Sequence, residues 1–170
     1  MTSDSSTIEA AQSWLESVLS RLGIEASVVQ EKPKVCQEHF QDFGGTWFKI
    51  STDHLSPEIV EQLIGDRGQH LEALQVLMNA TFNPDPESPE HIFTLDAHQY
   101  RANRYEQLLE MAHQAAEQVR ETQQEVVMPM LSSVERKLVH TLFVEDQDLE
   151  TVSRGQDRDR RLVLCPVQLS

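Results

Sequence analysis

Two glycines separated by two polar residues, Gly65, Asp66, Arg67 and Gly68, stand where two helical patterns meet. Residues 57–64 before the loop and 69–80 after it repeat apolar side chains at three- and four-residue steps, as amphipathic helices do. Glycine lets the backbone approach a ligand closely, and the first amides of the second helix attract an anion. The loop therefore has the chemistry to hold phosphate groups. The alternative is a simple turn between two helices.

A second group of candidate residues is basic. Arg136 and His140 are four residues apart in a predicted helix, so these two side chains project from one face, and Lys137 lies beside them. Arginine offers planar donors to phosphate, and histidine can stack on a base or donate a hydrogen bond. A predicted hairpin adds Arg158, Arg160 and Arg161. If that hairpin packs beside the helix, these side chains form one cationic surface. By spacing alone, an Arg-xxx-His pair is more often a solvated helix face.

No residue pattern indicates catalysis. A nucleophile elbow, a P-loop and a dinucleotide fingerprint are all missing from the sequence. Cys36 and His39 have the spacing of half a metal site, but no second pair completes a tetrahedral set. We therefore expect no enzyme activity, no metal and no cofactor.

The charge is acidic and unevenly distributed. The chain of 170 residues has a net charge of −14, of which residues 1–99 contribute −11 and residues 100–170 contribute −3. A nucleic-acid binder with this balance must use local basic patches, and the better ones lie in the C-terminal part. No apolar run is long enough to span a membrane, no export signal is visible, and two distant cysteines fit reduced thiols. The expected location is the cytoplasm.

Periodicity and turn residues predict an α+β protein with two domains. The predicted boundaries are a disordered tail at 1–6, a first domain at 7–97 and a second at 98–170. Within the first domain the expected order is helix, strand, strand, helix, glycine loop, helix, strand; residues 35–45 can include a strand. The second domain is expected to contain a helix at 100–122, a strand at 125–130, a helix from a Ser132 capping box to about 144, and strands at 150–153 and 161–165.

These motifs resemble the bacterial Jag family, which joins a KH domain to an R-three-H domain. The likeness covers roughly residues 45–166. It rests on Leu63-Ile64-Gly65-x-Arg67-Gly68, on Glu135-Arg136 with His140, and on Arg160-Arg161-Leu162-Val163-Leu164-x-Pro166. The resemblance implies a type II KH fold, with helices on one face of a three-stranded sheet, followed by a small α+β R-three-H domain. It also implies a GXXG loop that clamps single-stranded RNA.

The chain departs from the family pattern in two ways. Residues 1–45 are too few for the extra N-terminal domain of many members, and Asp66 stands where the loop usually has a basic residue. The leading hypothesis is a single-stranded RNA-binding protein in post-transcriptional regulation or RNA chaperoning, with single-stranded DNA as the alternative ligand. The resemblance also implies pairing with a small single-KH-domain protein. The rival hypothesis is an acidic adaptor whose KH half docks on a partner protein.

Overall fold

The computed structural model describes residues 2–40, 43–85, 87–156 and 159–167. The chain divides into two compact units, the first ending at Asn103 and the second beginning at Arg104. The elements of the first unit, in chain order, are α1 (Thr2–Arg21), β1 (Val28–Gln30), α2 (Lys34–His39), β2 (Thr46–Ile50), α3 (Pro57–Ile64), a 3-10 turn (Asp66–Gly68), α4 (Gln69–Phe82) and β3 (Phe93–Ala97). Helix α5 (Tyr100–Thr122) begins in this unit and continues into the second.

The three strands of the first unit form one mixed sheet in the order β1-β2-β3. β1 runs antiparallel to β2, with Val28 opposite Ile50, whereas β2 and β3 are parallel, with Thr46 opposite Phe93. A parallel pair needs a crossover, and the chain from α3 through the glycine loop to α4 supplies it. Apart from α2, the element order is the predicted one.

Both aromatic residues of β2 are buried. Phe48 stacks on Phe93 with ring centroids 5.8 Å apart, and the Trp47 indole N–H donates to the Phe43 carbonyl at 3.2 Å. Side chains alternate between the two faces of a sheet, so the sequence alone would allow one of these neighbouring rings to face solvent. The structure instead uses both for packing, so β2 offers no outward ring on which a base can stack.

Side-chain amides of α4 close the outer edge of β3. Gln75, Asn79 and Asn83 are four residues apart, so they project from one helix face toward the strand. The Asn79 amide group donates to the Phe93 carbonyl and accepts from the Phe93 amide, at 2.8 and 2.9 Å. Asn83 pairs with both backbone groups of His91, and Gln75 accepts from the Leu95 amide.

The opposite edge of the sheet is closed in a similar way by α1. The Val28 amide of β1 donates to the Glu16 carboxylate at 2.9 Å, and the Val28 carbonyl accepts from the Gln12 side chain at 2.7 Å. An open sheet edge is a template for pairing with another strand. The first unit therefore fills much of its edge hydrogen-bonding capacity internally.

Three boundaries differ from the prediction. Residues 2–6, expected as a disordered tail, belong to α1, since a helix anchored by the buried side chains of Ala11 and Leu15 extends at little cost per added residue. Residues 34–39, expected as part of an irregular or strand-forming stretch, are helical, because the buried Cys36 and Phe40 are spaced for one helical turn. The units divide after Asn103 rather than after residue 97, because the first turn of α5 packs on the first unit.

The second unit contains α5 from Arg104 onward, β4 (Val126–Val127), α6 (Ser133–Phe143), β5 (Leu149–Arg154) and β6 (Arg161–Pro166). Its sheet is antiparallel in the order β4-β6-β5. Leu164 of the central strand β6 lies opposite Val126 in β4 and opposite Thr151 in β5. The predicted capping box is present, since the Ser132 side chain accepts from the Glu135 amide and the Glu135 carboxylate accepts from the Ser132 amide. The predicted strand at 125–130 is reduced to two residues. Together the units form the expected α+β protein.

Candidate nucleic-acid interface

The glycine loop requires glycine at both ends. Gly65 and Gly68 have φ angles of +74° and +80°, which L side chains rarely adopt. A Cβ on Gly65 would lie 2.6 Å from His70 Cγ, and one on Gly68 would lie 2.5 Å from Tyr100 Cε1. The loop backbone is therefore packed against two rings and has little room for another conformation.

Two backbone amides of the loop are available to an anion. The Gly65 amide donates to the Glu61 carbonyl at 2.7 Å, and the Gly68 amide donates to the Gly65 carbonyl at 3.2 Å. The amides of Asp66 and Arg67 have no acceptor among the described residues. Since α4 begins at Gln69, the partial positive charge of its N-terminus adds to these donors.

The two side chains of the loop largely neutralise each other. Arg67 Nε lies 3.8 Å from Asp66 Oδ2, and both side chains are more than three-quarters exposed. An exposed pair of this kind contributes about 0–1 kcal/mol and breaks easily. The loop therefore offers backbone donors to a phosphate rather than a net positive charge.

A buried carboxylate holds the segment behind the loop. Asp96 accepts from the amides of Ala97 and Arg101 at 2.9 and 2.8 Å. Burial raises the pKa of Asp96, while these amides and the Arg101 charge oppose that rise. The Arg101 side chain donates to the Leu95 carbonyl at 2.7 Å and to Glu72, in the first turn of α4, at 2.8 Å. Sequence reasoning missed Asp96 and Glu72; an acidic residue in a buried strand was the available signal.

Arg136, Lys137 and His140 all belong to helix α6. The Arg136 guanidinium is half-buried and donates to the Leu131 carbonyl at 2.7 Å. The exposed His140 ring joins α6 to β5, because its Nδ1 lies 2.5 Å from Thr151 Oγ1. This contact leaves the other ring nitrogen for a ligand. Lys137 is exposed and has no carboxylate partner among the described residues.

Three other arginines of the second unit are paired with carboxylates. Arg104 contacts Glu135 at 2.6 Å, and Arg154 contacts Glu125 at 2.7 Å. Arg120 contacts both Asp146 and Asp148, at 2.7 and 2.9 Å. These ion pairs consume positive charge that a phosphate would otherwise meet.

The ion pairs also lower the pKa values of two carboxyl groups. The Arg120 guanidinium holds the pKa of Asp148 at about 2. Burial acts to raise the pKa of Glu135, but the Ser132 amide and Arg104 together bring it below its ordinary value. Both carboxylates therefore remain charged and keep their arginines engaged near neutral pH.

The hairpin arginines do not simply extend the α6 group. Thr151 pairs with Leu164, whereas Arg154 pairs with Arg161, three residues along each strand. Because side chains alternate between the two faces of a sheet, the Arg161 side chain leaves the sheet on the face opposite to Thr151, which is the face that His140 contacts. Arg160 is exposed and precedes β6. Arg158, the remaining predicted member, lies outside the described residues.

The half metal site of Cys36 and His39 gains no further ligands. Burial raises the pKa of the Cys36 thiol to about 12, so it stays protonated, and within the described ranges no group of three His, Cys, Asp or Glu could hold a metal ion. Among the helices of those ranges, none combines the length and apolar character needed to cross a membrane.

Comparison with known proteins bears on both units. The family model of the R-three-H domain matches residues 106–166. A protein of Bacillus subtilis named RNA-binding protein KhpB is 34% identical over 113 residues, covering 65% of this chain and 54% of that protein. The protein of the same name from Lactiplantibacillus plantarum is 27% identical over 158 residues, covering 93% of this chain and 44% of the relative.

A third relative with that name, from Clostridium symbiosum, is 32% identical over 103 residues, covering 60% of this chain and 46% of its own length. The chain spans about half the length of the curated relatives it matches. The match of the family model includes α6 and the hairpin. Residues 106–166 therefore form an R-three-H domain, in a chain that is similar to bacterial proteins named RNA-binding protein KhpB.

Proposed function

We propose that this protein binds single-stranded RNA through two surfaces. The first is the glycine loop, whose unit has the helix and strand order of a type II KH domain. The second is the α6 surface, which we define as Arg136, Lys137 and His140, with the exposed Arg160 as the hairpin contributor. The names of the relatives support RNA as the ligand, and single-stranded DNA is the alternative with the same backbone chemistry.

One observation carries this proposal. In the second unit, Arg104, Arg120 and Arg154 face carboxylates, while Arg136 and Lys137, side by side on α6, have no carboxylate within ion-pair distance in the described ranges. Phosphate binding releases counterions only where a cation is free to neutralise the phosphate. The unpaired cations coincide with the Arg-xxx-His pair, so the acidic chain retains a local basic patch.

The two surfaces have complementary roles in this proposal. The loop donates backbone amides at fixed positions, and the α6 surface supplies charge and a ring that can stack. Because both belong to one chain, binding at one raises the effective RNA concentration at the other. Two weak sites can then hold one strand, which is the property expected of a protein acting in post-transcriptional regulation or as an RNA chaperone.

The test is binding of a fluorescein-labelled single-stranded RNA 12-mer, measured by anisotropy over a series of salt concentrations. We expect the Lys137→Ala/His140→Ala variant to bind more weakly, with a slope of log K against log salt reduced by about 0.7 for each phosphate that is no longer neutralised. Arg154→Ala is the matched control, since it removes an arginine of the same unit that Glu125 already neutralises. Equal weakening in both variants, or no salt-dependent binding by the wild type, would refute the proposal.

An adaptor function is the second candidate, and the Asp66–Arg67 pair favours it, because a neutralised loop attracts RNA less strongly. The first unit would then dock on a protein, for which a small single-KH-domain protein is the expected partner. Pull-down of such a purified partner after nuclease treatment separates the two functions. Retention without RNA supports the adaptor, and complete loss on nuclease treatment supports RNA binding alone.

A further inference from the structure

A shallow groove lies between α5 and β4 in the second unit. None of the residues that line it belongs to the α6 surface. Its volume is about 210 Å³. Met111, Ala115 and Gln118 form the helix wall, and Val127, Met128 and Pro129 form the strand wall. No charged side chain lines it. Val127 and the neighbouring Met130 remain 58% and 61% exposed, so the groove borders an uncovered apolar surface.

The strand wall of the groove has an unused backbone edge. β4 is an outer strand of its sheet, and Val126 pairs with Leu164. The Met128 amide donates to the Leu162 carbonyl at 2.8 Å. Since backbone groups alternate in direction along an antiparallel strand, the N–H and C=O of Val127 point away from β6. This edge contrasts with β1 and β3, whose outward groups are bonded to helix side chains.

A stripe of carboxylates runs along α5 next to the groove-lining residue Gln114, whose side-chain amide donates to the Glu110 carboxylate at 3.3 Å. Glu106, Glu110, Glu117 and Glu121 repeat at four- and seven-residue steps and are all exposed. In the described part of the chain none of them has a cation within ion-pair distance. The arginine that lies among them in sequence, Arg120, is held by Asp146 and Asp148. Like charges four residues apart repel each other, and a cationic partner relieves that repulsion.

We infer that this groove binds an extended peptide segment of another protein, one that alternates apolar side chains with lysine or arginine. The apolar side chains enter the groove, where the two methionines adapt to their shape. The peptide backbone bonds to Val127, and its cations face the glutamate stripe. RNA is a poor occupant because its phosphates would meet exposed carboxylates that no cation neutralises within the described residues. The surface shares no residue with the α6 surface, so this peptide binding does not depend on the RNA-binding proposal.

The probe for the test is a labelled synthetic peptide, acetyl-Lys-Val-Lys-Val-Leu-Lys-amide, titrated into the full chain with 13C-methyl methionine. We expect the methyl signals of Met111 and Met128 to shift, while that of Met78, buried in the first unit, stays in place. Glu117→Lys/Glu121→Lys should weaken anisotropy-detected binding at least fivefold. Glu87→Lys/Glu90→Lys, which makes the same charge change in the 83–92 loop, should leave it within twofold.

A neutral pair of variants separates docking from general attraction to an acidic protein. Val127→Pro removes the outward N–H at an edge position where proline costs no sheet hydrogen bond, and Val127→Thr keeps it. We expect the proline variant to bind at least fivefold more weakly than the threonine variant. Equal binding by these two, equal binding of the peptide Glu-Val-Glu-Val-Leu-Glu, or a shift of Met111 and Met128 by oligouridylate but not by the cationic peptide would each overturn the inference.

Discussion

Replacing Gly68 by alanine should destabilise the first unit through two separable effects. The φ angle of +80° costs a non-glycine residue about 1 kcal/mol, since the left-handed conformation is unfavourable by roughly 1–2 kcal/mol per residue. The new Cβ would also lie 2.5 Å from the Tyr100 ring. Overlap of this kind costs about 1–3 kcal/mol in a packed region. We therefore expect Gly68→Ala to lower the free energy of unfolding by about 2–4 kcal/mol.

The Tyr100→Ala background isolates the steric effect. With the ring removed, only the φ cost of about 1 kcal/mol should remain for Gly68→Ala. The double-mutant cycle then gives a coupling of about 1–3 kcal/mol. Urea unfolding followed by tryptophan fluorescence measures it, because Trp14 and Trp47 both lie in the first unit. An equal cost of Gly68→Ala in the two backgrounds would refute the packing of Tyr100 behind the loop.

Three further outcomes follow from the first unit. Asn79→Leu should lower the free energy of unfolding in urea by about 2–4 kcal/mol, because the amide and the carbonyl of Phe93 both lose their partner and each unsatisfied group costs about 1–3 kcal/mol. The control variant Thr81→Val, on the exposed side of α4, should lower it far less. Asp66→Asn should strengthen RNA binding about twofold at low salt, with the gain vanishing at high salt, since a carboxylate about 7 Å from a phosphate repels it by about 0.6 kcal/mol in water. Because burial raises the folded-state pKa of Asp96, the folded state holds more protons than the unfolded state between the two pKa values. Stability should therefore fall as pH rises from the ordinary aspartate pKa through the raised one, and Asp96→Asn should remove that slope.

The succession of elements could be predicted because it depends on local signals. Helix periodicity, the Ser132 capping box and the proline at residue 57 act over a few residues, and the structure has the elements they predict. Helix α2 was missed because it is a single short segment whose burial depends on contacts made elsewhere in the chain. The same holds for the pairing of Trp47 with the Phe43 carbonyl, which decides that this ring packs inward.

The sequence could not show which arginines of the second unit are paired with carboxylates. Arg104 and Glu135 are 31 residues apart, and Arg154 and Glu125 are 29 apart, so no local pattern shows that these arginines are neutralised. Strand register decides that Arg161 starts on the face opposite Thr151, and a shift of one residue would reverse that. The Arg-xxx-His spacing itself was readable, because a four-residue step places two side chains together on any helix.

The amides of Gln75, Asn79 and Asn83 make the edge strand dependent on the helix for its hydrogen bonding. Exchange of the His91, Phe93 and Leu95 amide hydrogens with solvent requires α4 to move away from β3. Helix and strand should therefore open as one cooperative unit, with exchange rates at the sheet edge that resemble those of an inner strand. The glycine loop is attached to the first turn of the same helix. Opening of the whole of α4 should therefore also disturb the geometry of the loop.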